Sequence, residues 1–267
     1  MFVTRLFACA AFVVALASAA DAQTQRPSTC MAVAHSLPQA TYVAAPLHEA
    51  ATDDTVRLTY AGHSTYLIDT PAGIRIATDF SGAYGASPIP NVVTMNKAHT
   101  THFTLSPPPG IDHILPGWDD NGGGISHSLL VDDVYVRNVT TDISRYGVFE
   151  ADANSIFIFE VAGLCIGHLG HLHHRLTDTH YAEIGRLDIV MVPVDGGMTL
   201  ALDGMSEITR RLSSSIILPM HRHRTPMSAF TSRMGEGFDI EFRDGNSLEV
   251  SLSNLPRRPT IIILAGV

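Results

Sequence analysis

The stretch that decides the fold is VVTMNKAHTTH, which runs from Val92 to His102. It begins with a short apolar run of β-branched residues, which is typical of a buried strand. It continues with two histidines three positions apart and a lysine just before them. That residue, Lys97, is the only lysine among the 17 lysine and arginine residues of the chain. An isolated His-x-x-His pair is most often just two exposed polar side chains. The stretch alone therefore fits a metal site, an altered metal site or an ordinary loop.

Further histidines follow two other strand-like runs. LCIG is followed by HLGHLHH, and SSIILP is followed by MHRH. Strand ends that are far apart in sequence can meet at one edge of a sheet, where functional loops cluster. Converging imidazoles are what a first-row transition metal requires. Each cluster alone could be a polar loop, but three clusters at three strand ends favour one shared metal site.

Short strand-like runs dominate the chain from Thr55 onward, and helical patterns appear only later. One helix is expected after a Thr177 cap, a second near Asp203, and a third with Pro226 in its first turn. The tail RRPTIIILAGV predicts a last edge strand or a loose end. Many strands with a few helices between the later ones indicate an α/β layered fold.

Several motifs, in this order, resemble the metallo-β-lactamase-fold hydrolases, in particular the branch similar to ascorbate-phosphate lactonases. The resemblance covers roughly residues 56–230 and rests on YAGHSTYLIDTPAGIRIATD, VVTMNKAHTTH, GLCIGHLGHLHH, LDIVMVPVDGGMTL and SSIILPMH. It implies an α/β fold, a four-layer αβ/βα sandwich of the metallo-β-lactamase type. It also implies a metal site at one edge, between the two sheets.

The chain departs from the superfamily pattern His-x-His-x-Asp-His at two positions. Lys97 stands in place of the first histidine and Thr101 in place of the aspartate, while His171 stands in place of a metal-bridging aspartate. A further histidine expected after VYVRNV is missing. Two dications held close together need anionic ligands, so a two-metal site is not expected. The resemblance implies one divalent ion, most readily Zn²⁺, with Fe or Mn as alternatives. Its ligands would be His99, His102, His171 and His221.

Two further side chains are candidates for chemistry. Lys97 would stabilise developing negative charge, or would fill the vacated ligand position and pair with a carboxylate. Asp195, which precedes two glycines, would handle protons, bind the metal, orient a ligand histidine, or simply form a turn. His63 is expected near the mouth of the site or as a structural turn residue. Trp118 is expected to border the pocket or to lie in a hairpin loop.

The N-terminus has the features of an export signal. Residues 1–22 comprise an early arginine, an apolar run too short to span a bilayer, and Ala20-Asp21-Ala22 as a cleavage site. Residues 23–54 are predicted to be a partly disordered lead-in, and residues 55–267 to form the metallo-hydrolase-like domain. The mature protein would be periplasmic or secreted, without a membrane span.

Net charge and cysteine content limit the partners and the compartment. The formal net charge is −9, and no basic run could neutralise phosphates, so nucleic acid is excluded as an expected partner. The mature chain keeps Cys30 and Cys165, which an oxidising compartment would allow to pair. Because Cys165 lies in an apolar run, however, a buried free thiol is the favoured prediction.

Together these features predict an exported metal-dependent hydrolase. Its substrate would be a small ester, lactone or phosphoester, attacked by a metal-activated water. The loss of acidic ligands supports an alternative from another class, a non-catalytic periplasmic protein that retains the fold and binds a metal or ligand.

Overall fold

Two β-sheets and three α-helices make up the part of the chain that the computed structural model describes, residues 28–31, 54–145 and 147–267. The predicted signal segment, 1–22, and most of the predicted lead-in, 23–54, lie outside these residues. Fourteen strands are described, in chain order: β1 Val56–Gly62, β2 Thr65–Asp69, β3 Arg75–Ala77, β4 Val92–Met95, β5 His113–Pro116, β6 Ser128–Val131, β7 Val134–Arg145, β8 Val148–Val161, β9 Leu164–His168, β10 Ile189–Pro193, β11 Ile216–Met220, β12 Asp239–Phe242, β13 Ser247–Val250 and β14 Thr260–Ile263.

The strands form one sheet of six and one of eight. The first has the order β13-β1-β2-β3-β4-β5, and the second has the order β12-β14-β11-β10-β9-β8-β7-β6. The inner faces pack on each other through apolar side chains such as Leu58, Tyr66 and Phe159, all fully buried. Strands β9, β10 and β11 are mutually parallel, so their carboxyl ends lie at one edge of the sheet.

The three helices cover the outer face of the eight-stranded sheet. They are α1 Asp178–Ile184, α2 Leu202–Leu212 and α3 Met227–Met234. The predicted cap is confirmed, because the Thr177 hydroxyl accepts a hydrogen bond from the backbone N–H of His180. Pro226 lies at the cap position of α3 rather than in its first turn. In the described ranges, no helix is long and apolar enough to cross a membrane.

The outer face of the six-stranded sheet is covered by loops. Phe80, Phe103 and Trp118 pack there against Val93 and Met95. Trp118 is therefore part of a small core, and its indole N–H donates to Asp120 at 2.8 Å. The predicted metallo-β-lactamase-type sandwich is confirmed, with loop segments forming the layer on this side of the described residues.

The prediction for the C-terminal tail was wrong. Strand β14 is internal, since it pairs in parallel with β11 on one side and with β12 on the other. All four of its residues are buried. A continuous apolar run is the expected pattern of a parallel strand covered on both faces, and TIII has that pattern.

The preference for a free thiol was also wrong, because Cys30 and Cys165 form a disulfide across 135 positions of sequence. The backbone around Cys30 is fastened to the domain as well. The Thr29 N–H donates to Glu160 at 2.8 Å, and the Cys30 carbonyl accepts from the Arg186 N–H at 2.8 Å. An apolar setting for Cys165 is common to a buried thiol and a buried disulfide, so it could not distinguish them.

Candidate metal centre

The four histidines predicted as ligands come from three strand ends and lie together. His99 and His102 follow β4 of the six-stranded sheet, while His171 follows β9 and His221 follows β11 of the eight-stranded sheet. The six separations between their ring centres range from 4.3 to 5.6 Å. Four imidazoles that bind one Zn²⁺ tetrahedrally through Zn–N bonds of ~2.0–2.1 Å have ring centres about 5.2 Å apart. The cluster therefore has the dimensions of a four-imidazole site.

Each of these four rings is held through its Nδ1 atom. The partners lie 2.7 to 2.9 Å away: Thr101 for His99, Asp79 for His102, His173 for His171, and Asp195 for His221. A carboxylate at Nδ1 keeps the proton there and leaves the lone pair on Nε2, as for His102 and His221, which is how proteins commonly orient metal-binding histidines. The Thr101 hydroxyl and the His173 ring can accept from Nδ1 in the same way, so all four rings can present Nε2 to one ion.

Two of the four Nε2 atoms lack a hydrogen-bond partner, and the other two face each other. In His171 and His221 the Nε2 atom is buried and has no hydrogen-bond partner among the described residues. The Nε2 atoms of His99 and His102 lie 3.2 Å from each other, so two lone pairs face one another when both rings carry their proton on Nδ1. Unpartnered buried nitrogens are costly. A divalent cation among these atoms would be bound by the lone pairs of the Nε2 atoms, so the residues fit a metal ion.

Two ionised carboxylates stand behind the ring cluster. Burial opposes ionisation of Asp79, but His168, His102 and a 2.7 Å hydrogen bond from Asn96 outweigh it and hold the pKa of Asp79 below its usual value. Burial also opposes ionisation of Asp195, and hydrogen bonds hold its pKa far below the usual value. Both carboxylates are therefore charged at neutral pH and accept from the rings they orient.

Two of the imidazoles, His171 and His63, are kept neutral by burial and by their neighbours. Burial, followed by the neighbouring His102 and His221, lowers the pKa of His171 well below its usual value. Burial, followed by His221, lowers the pKa of His63 to about 3. A neutral imidazole is the form that binds a metal, so these two rings do not need to lose protons at neutral pH before an ion enters.

Left-handed backbone is concentrated at this centre. His63, Asp79 and His221 have φ values of 54°, 45° and 49°. Such φ values are uncommon for residues other than glycine and cluster at functional sites. The His221 N–H donates to the His63 carbonyl at 2.7 Å, which ties two of the three positions together. The fold thus maintains an unfavourable backbone where the ring cluster requires it.

A buried polar network behind the histidines fixes the loops that carry them. Asn96 donates to Asp79, and the side-chain oxygen Oδ1 of Asn154 accepts from the His171 backbone N–H at 2.7 Å. Gly170 has φ 61°, and a Cβ there would lie 2.4 Å from Asn154 and 2.5 Å from Asn96. Glycine is therefore required at this position, because any side chain would displace both asparagines.

The two predicted catalytic side chains lie in different settings. The Lys97 ammonium pairs with Glu150 on β8, and both side chains are partly exposed. Asp195 is held by five hydrogen bonds: Oδ1 accepts from the N–H groups of residues 197, 198 and 199, and Oδ2 accepts from the Thr199 hydroxyl and from His221. Of the predicted roles, this geometry supports the orientation of a ligand histidine for Asp195. For Lys97 it supports a pair with a carboxylate.

Sequence reasoning did not assign three members of the site. In the sequence, Asp79 is only the last residue of the run YAGHSTYLIDTPAGIRIATD, His173 is one of four histidines in the tract HLGHLHH, and Thr101 is only a substituted position. The available signal was their spacing, since Asp79 ends the strand-like run beside the His-x-x-His strand and His173 lies two positions after His171. Their contacts depend on tertiary packing, which spacing does not reveal.

Comparison with known proteins agrees with this architecture. A family model described as "Beta-lactamase superfamily domain" matches residues 57–221. A candidate Zn-dependent hydrolase of the metallo-β-lactamase superfamily from Thermotoga maritima has a similar structure, with TM-score 0.55 and 24% identity over 78% of this chain and 98% of that one. A candidate metal-dependent hydrolase from Parabacteroides distasonis has TM-score 0.55 and 13% identity, over 68% and 89%. At these identities the similarity shows the fold. No curated protein sequence matches significantly.

Proposed function

The chain belongs to the β-lactamase superfamily, with the fold of its metal-dependent hydrolases, and we propose that it hydrolyses a small ester, lactone or phosphoester with one divalent ion, preferentially Zn²⁺. The observation that carries this proposal is the set of four imidazoles whose Nδ1 atoms all have a partner and whose ring centres lie 4.3 to 5.6 Å from one another. When bound, such an ion polarises a substrate oxygen and lowers the pKa of water.

The chain's own residues supply orientation and charge. Asp79 and Asp195 fix the rings of His102 and His221 and balance positive charge at the centre. Asp195 is a positioning residue, because a carboxylate with five donors and a depressed pKa is a poor proton acceptor. Lys97 would offer positive charge to an anionic substrate at the rim, two positions before His99, once its ammonium leaves Glu150.

Export to the periplasm or the medium is part of the same proposal. The Cys30–Cys165 disulfide supports it, since such bonds persist in oxidising compartments. The predicted signal segment supports it independently. A net charge of −9 without a basic run favours a small-molecule substrate over nucleic acid.

One observation favours a second candidate, a metal-binding protein without turnover. All four nitrogens of a tetrahedral site would come from the protein, and a closed set of this kind is typical of structural zinc sites. Catalysis requires a position for water or substrate.

Metal-loaded protein separates the two candidates. The purified chain would be loaded with Zn²⁺, analysed for bound metal and assayed on a panel of esters, lactones and phosphodiesters. We expect stoichiometric metal and turnover that His102→Ala abolishes, while the matched variant His113→Ala, on β5 outside the ring cluster, keeps both. Bound metal without turnover on any substrate class would establish the second candidate. Absence of bound metal would refute both.

A further inference from the structure

A fifth imidazole lies against the same centre. His63 occupies the turn between β1 and β2, and its ring centre lies 4.2, 5.0 and 5.6 Å from those of His221, His102 and His99. One nitrogen from each of these four rings lies within 4.8 Å of the others. His63 is therefore as close to His99, His102 and His221 as His171 is, and two overlapping sets of four imidazoles share those three rings.

Two hydrogen bonds hold the backbone of His63 in the turn. Its φ of 54° lies in the left-handed region, which histidine adopts more often than most residues with a side chain. Its carbonyl accepts from the Tyr60 hydroxyl at 3.0 Å and from the His221 N–H at 2.7 Å. The turn is therefore tied directly to the residue that carries the His221 ring, which keeps the His63 ring beside it.

Thr101 connects the fifth ring to a predicted ligand. Its hydroxyl oxygen lies 2.8 Å from His63 Nε2 and 2.7 Å from His99 Nδ1. A hydroxyl oxygen has two acceptor lone pairs, so it can accept from the N–H groups of both rings at once. His63 Nδ1 makes no hydrogen bond within the described residues, and the ring thus keeps one nitrogen for an ion while Thr101 holds the other.

We propose that His63 is a fifth imidazole of the metal centre and that it shares His99, His102 and His221 with His171. This inference rests on the metal site of the proposed function and deepens it. An ion held by five rings keeps four nitrogens when either His63 or His171 withdraws. One coordination position can then be given to water or to a substrate oxygen without loss of the ion, which removes the objection that four fixed imidazoles leave no open position.

The proposal that His63 and His171 can replace each other as ligands is tested by the Zn²⁺ affinity, which is measured by competition with a chromophoric chelator. The variants are His63→Asn, chosen because asparagine tolerates the left-handed backbone, His171→Ala, and the double variant. We expect each single variant to lose less than about 10-fold in affinity and the double variant to lose more than about 100-fold, beyond the product of the two. His113→Ala, outside the cluster, should leave the affinity unchanged.

A second readout separates a ligand from a structural turn. In Co²⁺-loaded protein the visible spectrum reports the ligands directly, so His63→Asn should change it. Thr101→Val, which keeps His63 but removes its hydroxyl partner, should weaken Zn²⁺ binding, and Thr101→Ser should restore it. Unchanged Zn²⁺ affinity and an unchanged Co²⁺ spectrum in His63→Asn, in both the wild-type and His171→Ala backgrounds, would overturn the proposal. Redundant metal binding without hydrolysis would refute the proposed function and leave this inference intact.

Discussion

Asp195→Asn is expected to disable metal binding by reversing the tautomer of His221. Three backbone N–H groups converge on Oδ1 of Asp195, while the Thr199 hydroxyl and His221 share Oδ2. An asparagine has one oxygen, and three fixed donors require it on the Oδ1 side. The amide NH₂ must then face His221 Nδ1, so the proton of that ring moves to Nε2 and the ligand lone pair is lost.

The size of the effect follows from the role of such partners. Removing the group that orients a metal-binding histidine typically costs 10–100-fold in metal affinity, or about 1.4–2.7 kcal/mol. Since the tautomer itself reverses here, we expect a loss at or beyond the upper end for Zn²⁺ measured by chelator competition near pH 7.5. Two-bond ¹H–¹⁵N spectra of the imidazoles would show the proton of His221 on Nε2. The control is Asp203→Asn, which removes an exposed pair with Arg233 far from the rings.

One outcome would contradict this reasoning. If Asp195→Asn binds Zn²⁺ within twofold of the wild type, with His221 still protonated on Nδ1, then the carboxylate does not set the tautomer. The four-nitrogen interpretation of the centre would lose its main support, because the same argument assigns Nε2 in the other three rings.

Three further predictions follow from other parts of the structure. Replacing Cys30 and Cys165 with serine opens a loop of 135 positions. A disulfide that closes a loop of that length stabilises the fold by about 5 kcal/mol, so the melting temperature should fall by about 10–20 °C. A fall under 2 °C would contradict this. Burial lowers the pKa values of His168 and His171 in the folded state, so the unfolded chain binds more protons below its ordinary histidine pKa. Metal-free protein should therefore lose about 1.4 kcal/mol per pH unit per histidine below pH ~6.5, and denaturant curves that coincide at pH 7.5 and 5.5 would oppose it. Lys97→Met should lower the free energy of unfolding by under about 1 kcal/mol, as for exposed ion pairs. It should nevertheless lower kcat/KM for anionic substrates more than for neutral ones. If the variant and the wild type differ by the same factor on both kinds of substrate, Lys97 has no part in the mechanism.

The strands and the ligand loops could be predicted because their signals are local. A short apolar run such as IIL in β11 indicates a strand from its local sequence alone. A histidine at the end of that run then predicts a ring at the edge of the sheet. The resemblance in motif order then indicated which strand ends meet. Of the fold, only the status of β14 and the state of the cysteines were misjudged, because both depend on which segments become neighbours.

The groups around the ligands could not be predicted for a different reason. Asp79 is an unremarkable carboxylate in sequence, and its importance depends on a left-handed backbone and on contacts with Asn96 and His102 across the sheet. His63 has the same character, since a histidine in a β-turn is common and only its distance from His221 marks it. Such contacts exist only after two sheets have packed.

The charges around the centre are the reason for proposing one ion rather than two. Asp79 and Asp195 are ionised and hydrogen-bonded to the rings of His102 and His221. Two negative charges thus balance one dication through the imidazoles that hold it. A second dication ~3.5–4 Å away would add a repulsion of about 18 kcal/mol at an effective dielectric of 20, and no carboxylate among the ligands would offset it. Where the superfamily pattern has its aspartate, this chain has Thr101, whose hydroxyl orients imidazoles and adds no charge. In the proposed one-metal centre, these substitutions remove the charge that a second ion would need and keep the two carboxylates that balance the first.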